Sequence, residues 1–120
     1  MTILAQVFVF RAMIKVRFRL NDMKKITVDF IWIPESLGGH GAEPYEGMRT
    51  TIRWQRFIEE YLHNAQDIEW SEIDYRKDTR QGKAVCNISA PELTPKNIEP
   101  TGELAELLNG YRVVAVGRIS

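Results

Sequence analysis

With one cysteine, two histidines and a formal net charge of zero in 120 residues, the chain is poor in the side chains that most chemistry needs. Cys86, beside Val85 and two residues before Ile88, reads as a small buried side chain in a reducing compartment, not as a nucleophile or half of a disulfide. His40 and His63 lie too far apart, with one distant cysteine, to suggest a zinc site. No apolar run approaches the roughly 18 residues that cross a bilayer. The nearest, Ile3 to Phe10, is short and has no basic residue before it, so a secretory leader is not expected either. There is no G-x-x-x-x-G-K-[ST] phosphate loop and no Gly-x-Ser-x-Gly elbow, which removes nucleotide hydrolysis and the serine hydrolases of that type. The expectation is a cytoplasmic protein without metal, cofactor, nucleotide or membrane contact.

Sixteen basic and sixteen acidic residues cancel, but not evenly. Residues 1–25 carry Arg11, Lys15, Arg17, Arg19, Lys24 and Lys25 against Asp22 alone. Residues 59–74 carry Glu59, Glu60, Asp67, Glu69, Glu72 and Asp74 with no lysine or arginine. Such an acidic stretch could steer a basic partner.

Apolar content of 44% and charged content of 27% are those of one globular domain, residues 1–120. Val16, Phe18 and Leu20 alternate with Lys15, Arg17 and Arg19, the period of a half-buried strand. Asn21-Asp22 is a turn signal, and Ile26, Val28, Phe30 and Trp32 alternate again, so 15–20 and 26–32 predict a hairpin that ends before Pro34. A strand at 49–54 follows the glycine-rich loop of Gly38, Gly39 and Gly41. Trp54, Phe57, Ile58, Tyr61 and Leu62 then fall at helical spacing, predicting one short helix around 54–63. Residues 68–75 resume alternation with a bulge at Ser71-Glu72, and 83–89 form a further strand. Pro91, Pro95 and Pro100 mark a long loop. Leu104 to Leu108 fits a strand or a single helical turn. Asn109-Gly110 is a type I′ hairpin signal, and 113–119 make the last strand, with Gly117 at a bulge or close approach. Six or seven short strands with one helix argue for a small closed antiparallel β-barrel, and the long proline-marked connections suit Greek-key crossings.

The spacing of Gly38-Gly39 to Gly47-Met48-Arg49, Gly82 leading a strand that runs to Pro91, and Asn109-Gly110-Tyr111-Arg112 followed by Val114 and Gly117 together resemble the C-terminal (third) β-barrel domain of elongation factor Tu. The resemblance covers about 23–120, with 1–22 as an N-terminal extension. It departs from the family at Met48, where an aromatic is usual, at Thr50, where proline is common, and in the helix, for which the factor has only a strand end and turn. The resemblance implies a noncatalytic binding module for protein or RNA, around translation. In the full-length factors the segments matching 47–49 and 107–110 lie toward the nucleotide-binding domain; the helix is expected to dock near them here.

Arg49, Arg53 and Arg56 flank Trp54, with Arg17 and Arg19 on the neighbouring strand of the expected hairpin and Arg112 in the closing one, a pattern able to hold phosphates and stack a base; the other reading is that the alternating arginines are the wet face of the barrel and Trp54 is core. Gly38, Gly39, Gly47, Gly110 and Gly117 are the expected structural turns. Against nucleic acid stands the zero net charge and a pI near 6.7. The alternative is an immunity-type interaction protein using its acidic 59–74 surface on a basic partner. A weaker option is an enzyme with His40 as general base beside Glu43 or Glu46.

Overall fold

The computed structural model describes residues 24–63 and 65–120, and the side chains of Glu60, Tyr61 and His63 fall outside that description. The described residues form six strands, β1 Lys25–Trp32, β2 Arg49–Trp54, β3 Gln66–Arg76, β4 Gln81–Ile88, β5 Leu104–Asn109 and β6 Arg112–Ile119, with one α-helix, α1, Ile58–His63. They close into a barrel in the order β1-β4-β3-β2-β5-β6, every pair antiparallel. β1 beside β4 and β5 beside β2, with β2-β3-β4 as the shared meander, make two overlapping Greek keys. Closure gives each of these six strands a neighbour on both sides.

Alternation dictates which side chains fill the barrel. Ile26, Val28, Phe30 and Trp32 of β1, Thr50, Ile52 and Trp54 of β2, and Ile68 and Trp70 of β3 all point inward and are buried. Trp70 is central: its ring meets Phe30 edge-on at 4.9 Å and Trp32 at 5.9 Å. Such edge-to-face pairs contribute about 0.5–1.5 kcal/mol each beyond the area they bury. The Trp70 indole donates to Thr50 Oγ1 at 2.9 Å, so the buried polar atoms of both are satisfied.

The two barrel ends differ. One carries the β1–β2 connection (33–48), the β3–β4 turn and the β5–β6 turn. The other carries α1 and the loop 89–103, where Thr94, Pro95 and Ile98 are buried.

Several expectations are corrected. Both edges of β1 are taken, by β4 and β6, while the strand expected at 15–20 lies outside the described residues. The helix begins at Ile58 and not at Trp54, which is the last residue of β2 and faces the core. Because α1 follows the far end of β2, it sits at the opposite end of the barrel from 47–49 and 109–112 and covers neither. Gly47, Arg49, Gly110 and Arg112 are exposed there, with Met48 alone turned into the core. The closing hairpin pairs Asn109 with Arg112, so its central residues are Gly110-Tyr111. Gly110 has φ +64° and Tyr111 does not share that sign, the II′ pattern in place of the expected I′. The β5–β6 register shifts at Leu107/Leu108, so the bulge is there and Gly117 is the close approach. The expected bulge after Ser71 is present, with Glu72 at φ +49°.

Candidate binding groove

The period of β2 decides the fate of the arginine-aromatic pattern. Arg49, Thr51 and Arg53 project outward while Trp54 projects inward and is only 3% exposed, so Trp54 cannot stack a base. Its indole donates to Gln66 Oε1 at 3.2 Å, and Gln66 Nε2 donates to Thr94 Oγ1 and the Ala90 carbonyl. The arginines are engaged by carboxylates. Arg49 meets Glu69 at 3.1 Å, and Arg53 meets Glu106 through Nε at 3.1 Å. Arg56 lies beyond the end of β2 and binds Glu103. Arg112 is exposed at the turn end, far along the barrel from Arg56, beside the wholly exposed Tyr111. Arg17 and Arg19 lie outside the described residues.

The structural glycines hold their places by two mechanisms. Gly38, Gly47 and Gly110 have positive φ, which a side chain strains. Gly39 and Gly117 are close approaches, a Cβ on Gly117 falling 2.6 Å from Val28 Cγ1 and 2.8 Å from the Asp29 carbonyl oxygen. Gly82, against Phe30, is a close approach of the same kind.

The acidic stretch 59–74 is not one surface. Glu59 is on α1 at one end, whereas β3 carries Asp67, Glu69, Glu72 and Asp74 along the barrel. Asp67 accepts from Thr51 Oγ1, and Glu69 is bound to Arg49. Around His40 the groups diverge as well. Its Nδ1 accepts the Ala42 N–H at 3.0 Å, Glu46 accepts the Ile73 N–H, and Glu43 is bound to Lys77. His63's side chain is outside the described residues. Among the described residues no three metal-ligating side chains converge, and no helix is long and apolar enough to cross a membrane. Burial pushes the Cys86 thiol up to about 12, leaving no thiolate for chemistry at neutral pH.

What the structure does gather is a groove of about 810 Å³ on the outer wall where β4, β1, β6 and β5 run side by side. Ile31 opposes Val116, and Leu104 opposes Arg118, so three aliphatic side chains share neighbouring positions on that wall. They are 47%, 37% and 49% exposed for Ile31, Val116 and Leu104, Ile31 directly opposite Val116 and Leu104 diagonal to it, which sets an apolar strip along the groove. Polar groups flank it: Asp29 held by Lys83 at 3.6 Å, Glu106 held by Arg53, and Arg118. Sequence reading did not find it. Ile31 was legible as an outward position between Phe30 and Trp32, but that Val116 and Leu104 adjoin it follows only from the barrel order.

No family model matches this chain, and no curated protein matches it.

Proposed function

We propose that the protein is a noncatalytic binding module whose wall groove receives a segment of a partner protein. The carrying observation is the strip of Ile31, Val116 and Leu104, left open to water on a wall whose neighbouring acids are already neutralised. Covering aliphatic surface is the general source of association free energy, about 25 cal/mol per Å² of apolar area before the costs of ordering are met. The paired arginines favour protein over RNA, since each guanidinium would have to leave a carboxylate to reach a phosphate. The resemblance to the third domain of elongation factor Tu makes the translation apparatus the first place to seek the partner.

The test is affinity purification from the native cell with the full chain and with Val116→Glu, each with and without nuclease. A partner that survives nuclease and is lost from Val116→Glu supports this function. Recovery that depends on nucleic acid, or that the substitution leaves unchanged, overturns it.

A further inference from the structure

The charges around the groove are not balanced, and the imbalance specifies what can lie in it. Two lattice rows cross the wall. In the first, Gln81, Ile31, Val116, Glu106 and Arg53 follow one another across β4, β1, β6, β5 and β2, and the Glu106–Arg53 pair is internally neutral. In the second, Lys83, Asp29, Arg118 and Leu104 follow one another, and Asp29 turns its carboxylate to Lys83. Arg118 is left facing Asp29 across the ladder with no carboxylate bound to it among the described residues, beside the exposed face of Leu104.

We infer that the groove takes a partner segment carrying aliphatic side chains together with a carboxylate, and that Arg118 is the residue that selects it. The inference rests on the groove being the binding site. Each of the four strands that form the groove, β4, β1, β6 and β5, already has a strand on both sides, so recognition there falls to side chains. A segment laid over Ile31, Val116 and Leu104 removes water from Arg118 as well. A carboxylate on that segment replaces the lost water with a two-pronged, charge-assisted contact. A segment without one leaves a guanidinium desolvated and unmatched, and a basic segment adds repulsion, so the site selects by penalty as well as by attraction. Neither acid of the groove is free to compensate a lysine.

The experiment uses the full-length ¹⁵N-labelled chain and two capped probe peptides, Leu-Glu-Val-Glu-Leu-Glu and Leu-Lys-Val-Lys-Leu-Lys, titrated by amide chemical shift. The expected result is that the acidic peptide moves the amides of residues 31, 104, 116 and 118 and binds about tenfold or more tightly than the basic one. Arg118→Glu is expected to reverse that order and Arg118→Gln to level it, with the remaining amide spectrum showing that both variants stay folded. Groove shifts of equal affinity for both peptides, or a preference that Arg118→Glu does not alter, overturn the role of Arg118 while leaving the groove as a binding site. Absence of groove shifts with either peptide overturns both. Shifts that appear only when Val16, Phe18 and Leu20 are replaced by serine in the same chain assign the groove to the chain's own N-terminal segment, which overturns the partner as occupant.

Discussion

The Arg56 guanidinium forks onto the carboxylate of Glu103, Nε reaching Oε2 at 3.0 Å while a second nitrogen takes Oε1. The two residues are 47 apart in sequence, one just past β2 and the other just before β5. Glu103 is buried, and its Oε1 also accepts the Glu99 N–H at 2.8 Å. A third Arg56 bond, to the Asn97 carbonyl at 3.0 Å, ties the same loop to the same guanidinium. The pair fastens the proline-marked crossing across the helical end of the barrel, and without it that loop would need other anchors for its buried Ile98.

Glu103→Gln is therefore expected to lower Tm by roughly 5 °C or more, since a charge-assisted contact and its second prong are weakened together. The Arg56 bond holds the Glu103 carboxyl below its ordinary value, overcoming the opposite pull of burial, and the Glu99 N–H assists. A depressed folded pKa gives stability that is complete above the unfolded value, near 4.5, and is lost as pH falls through the folded one. The Tm gap between wild type and Glu103→Gln should thus be full at pH 6–7 and narrow progressively below about pH 4.5. A gap that stays constant to pH 3 would contradict the linkage.

Trp54 and Gln66 form the second internal fastening. Gln66 bridges the Trp54 indole to Thr94 and Ala90, joining β2, β3 and the long loop. Gln66→Met keeps the volume and strands these partners, which costs about 1–3 kcal/mol in urea unfolding. Trp54→Ala opens a core cavity and costs about 3–5 kcal/mol. Trp54→Phe, which keeps most of the ring, should leave any partner affinity unchanged, because Trp54 does not reach the surface.

How much of this was legible in the chain depended on the range of the cause. The inward set of β1 could be written down from Ile26, Val28, Phe30 and Trp32, because alternation is a property of neighbours two apart. The bulge after Ser71 showed as a break in the same period. Trp54 reads both as the end of the 49–54 strand and as the start of the helix, because its distance to Phe57 and Ile58 satisfies a helical face as well as a strand end followed by a turn; the strand end is what forms. Leu62, expected on that buried face, is 71% exposed. Arg53 and Arg56 were visible, but Glu106 and Glu103 were not visible as their partners, being 53 and 47 residues away across a crossing that local patterns do not encode. The groove was invisible for the same reason.

Gly117→Ala tests the close approach inside β6. The added methyl meets Val28 and the Asp29 carbonyl, which belong to the ladder itself and can yield only by bending the β1–β6 pair. The expected cost is about 1–3 kcal/mol, read as a lowered urea midpoint at unchanged m-value. A neutral outcome would mean that the two strands separate more easily than their pairing indicates.

Cys86 offers a reporter of the whole barrel. Its thiol is fully buried on β4 and pushed up to about 12 by burial, so in native buffer at pH 8 it should resist a disulfide reagent. Labelling should appear only as the chain opens, with a rate that follows global unfolding across urea concentration. Fast labelling in the absence of denaturant would show that β4 detaches locally.

Arg49 and Arg53 decide between a phosphate-binding wall and a neutral one. Arg49 and Glu69 are both well exposed, so Arg49→Ala should change stability by no more than about 0.5 kcal/mol, and Arg53→Ala, half-buried against Glu106, by about 0.5–1 kcal/mol. For binding, each phosphate captured by a free cation releases a counterion and steepens the salt dependence by nearly one unit of log–log slope. With both guanidinia already on carboxylates, retention on total RNA between 50 and 200 mM salt should show a slope of magnitude below about two, and Arg49→Glu with Arg53→Glu should leave it nearly unchanged. A slope several units steep that collapses in the double variant would return the outer face of β2 to nucleic acid, and with it the arginine pattern from which that surface was first suspected.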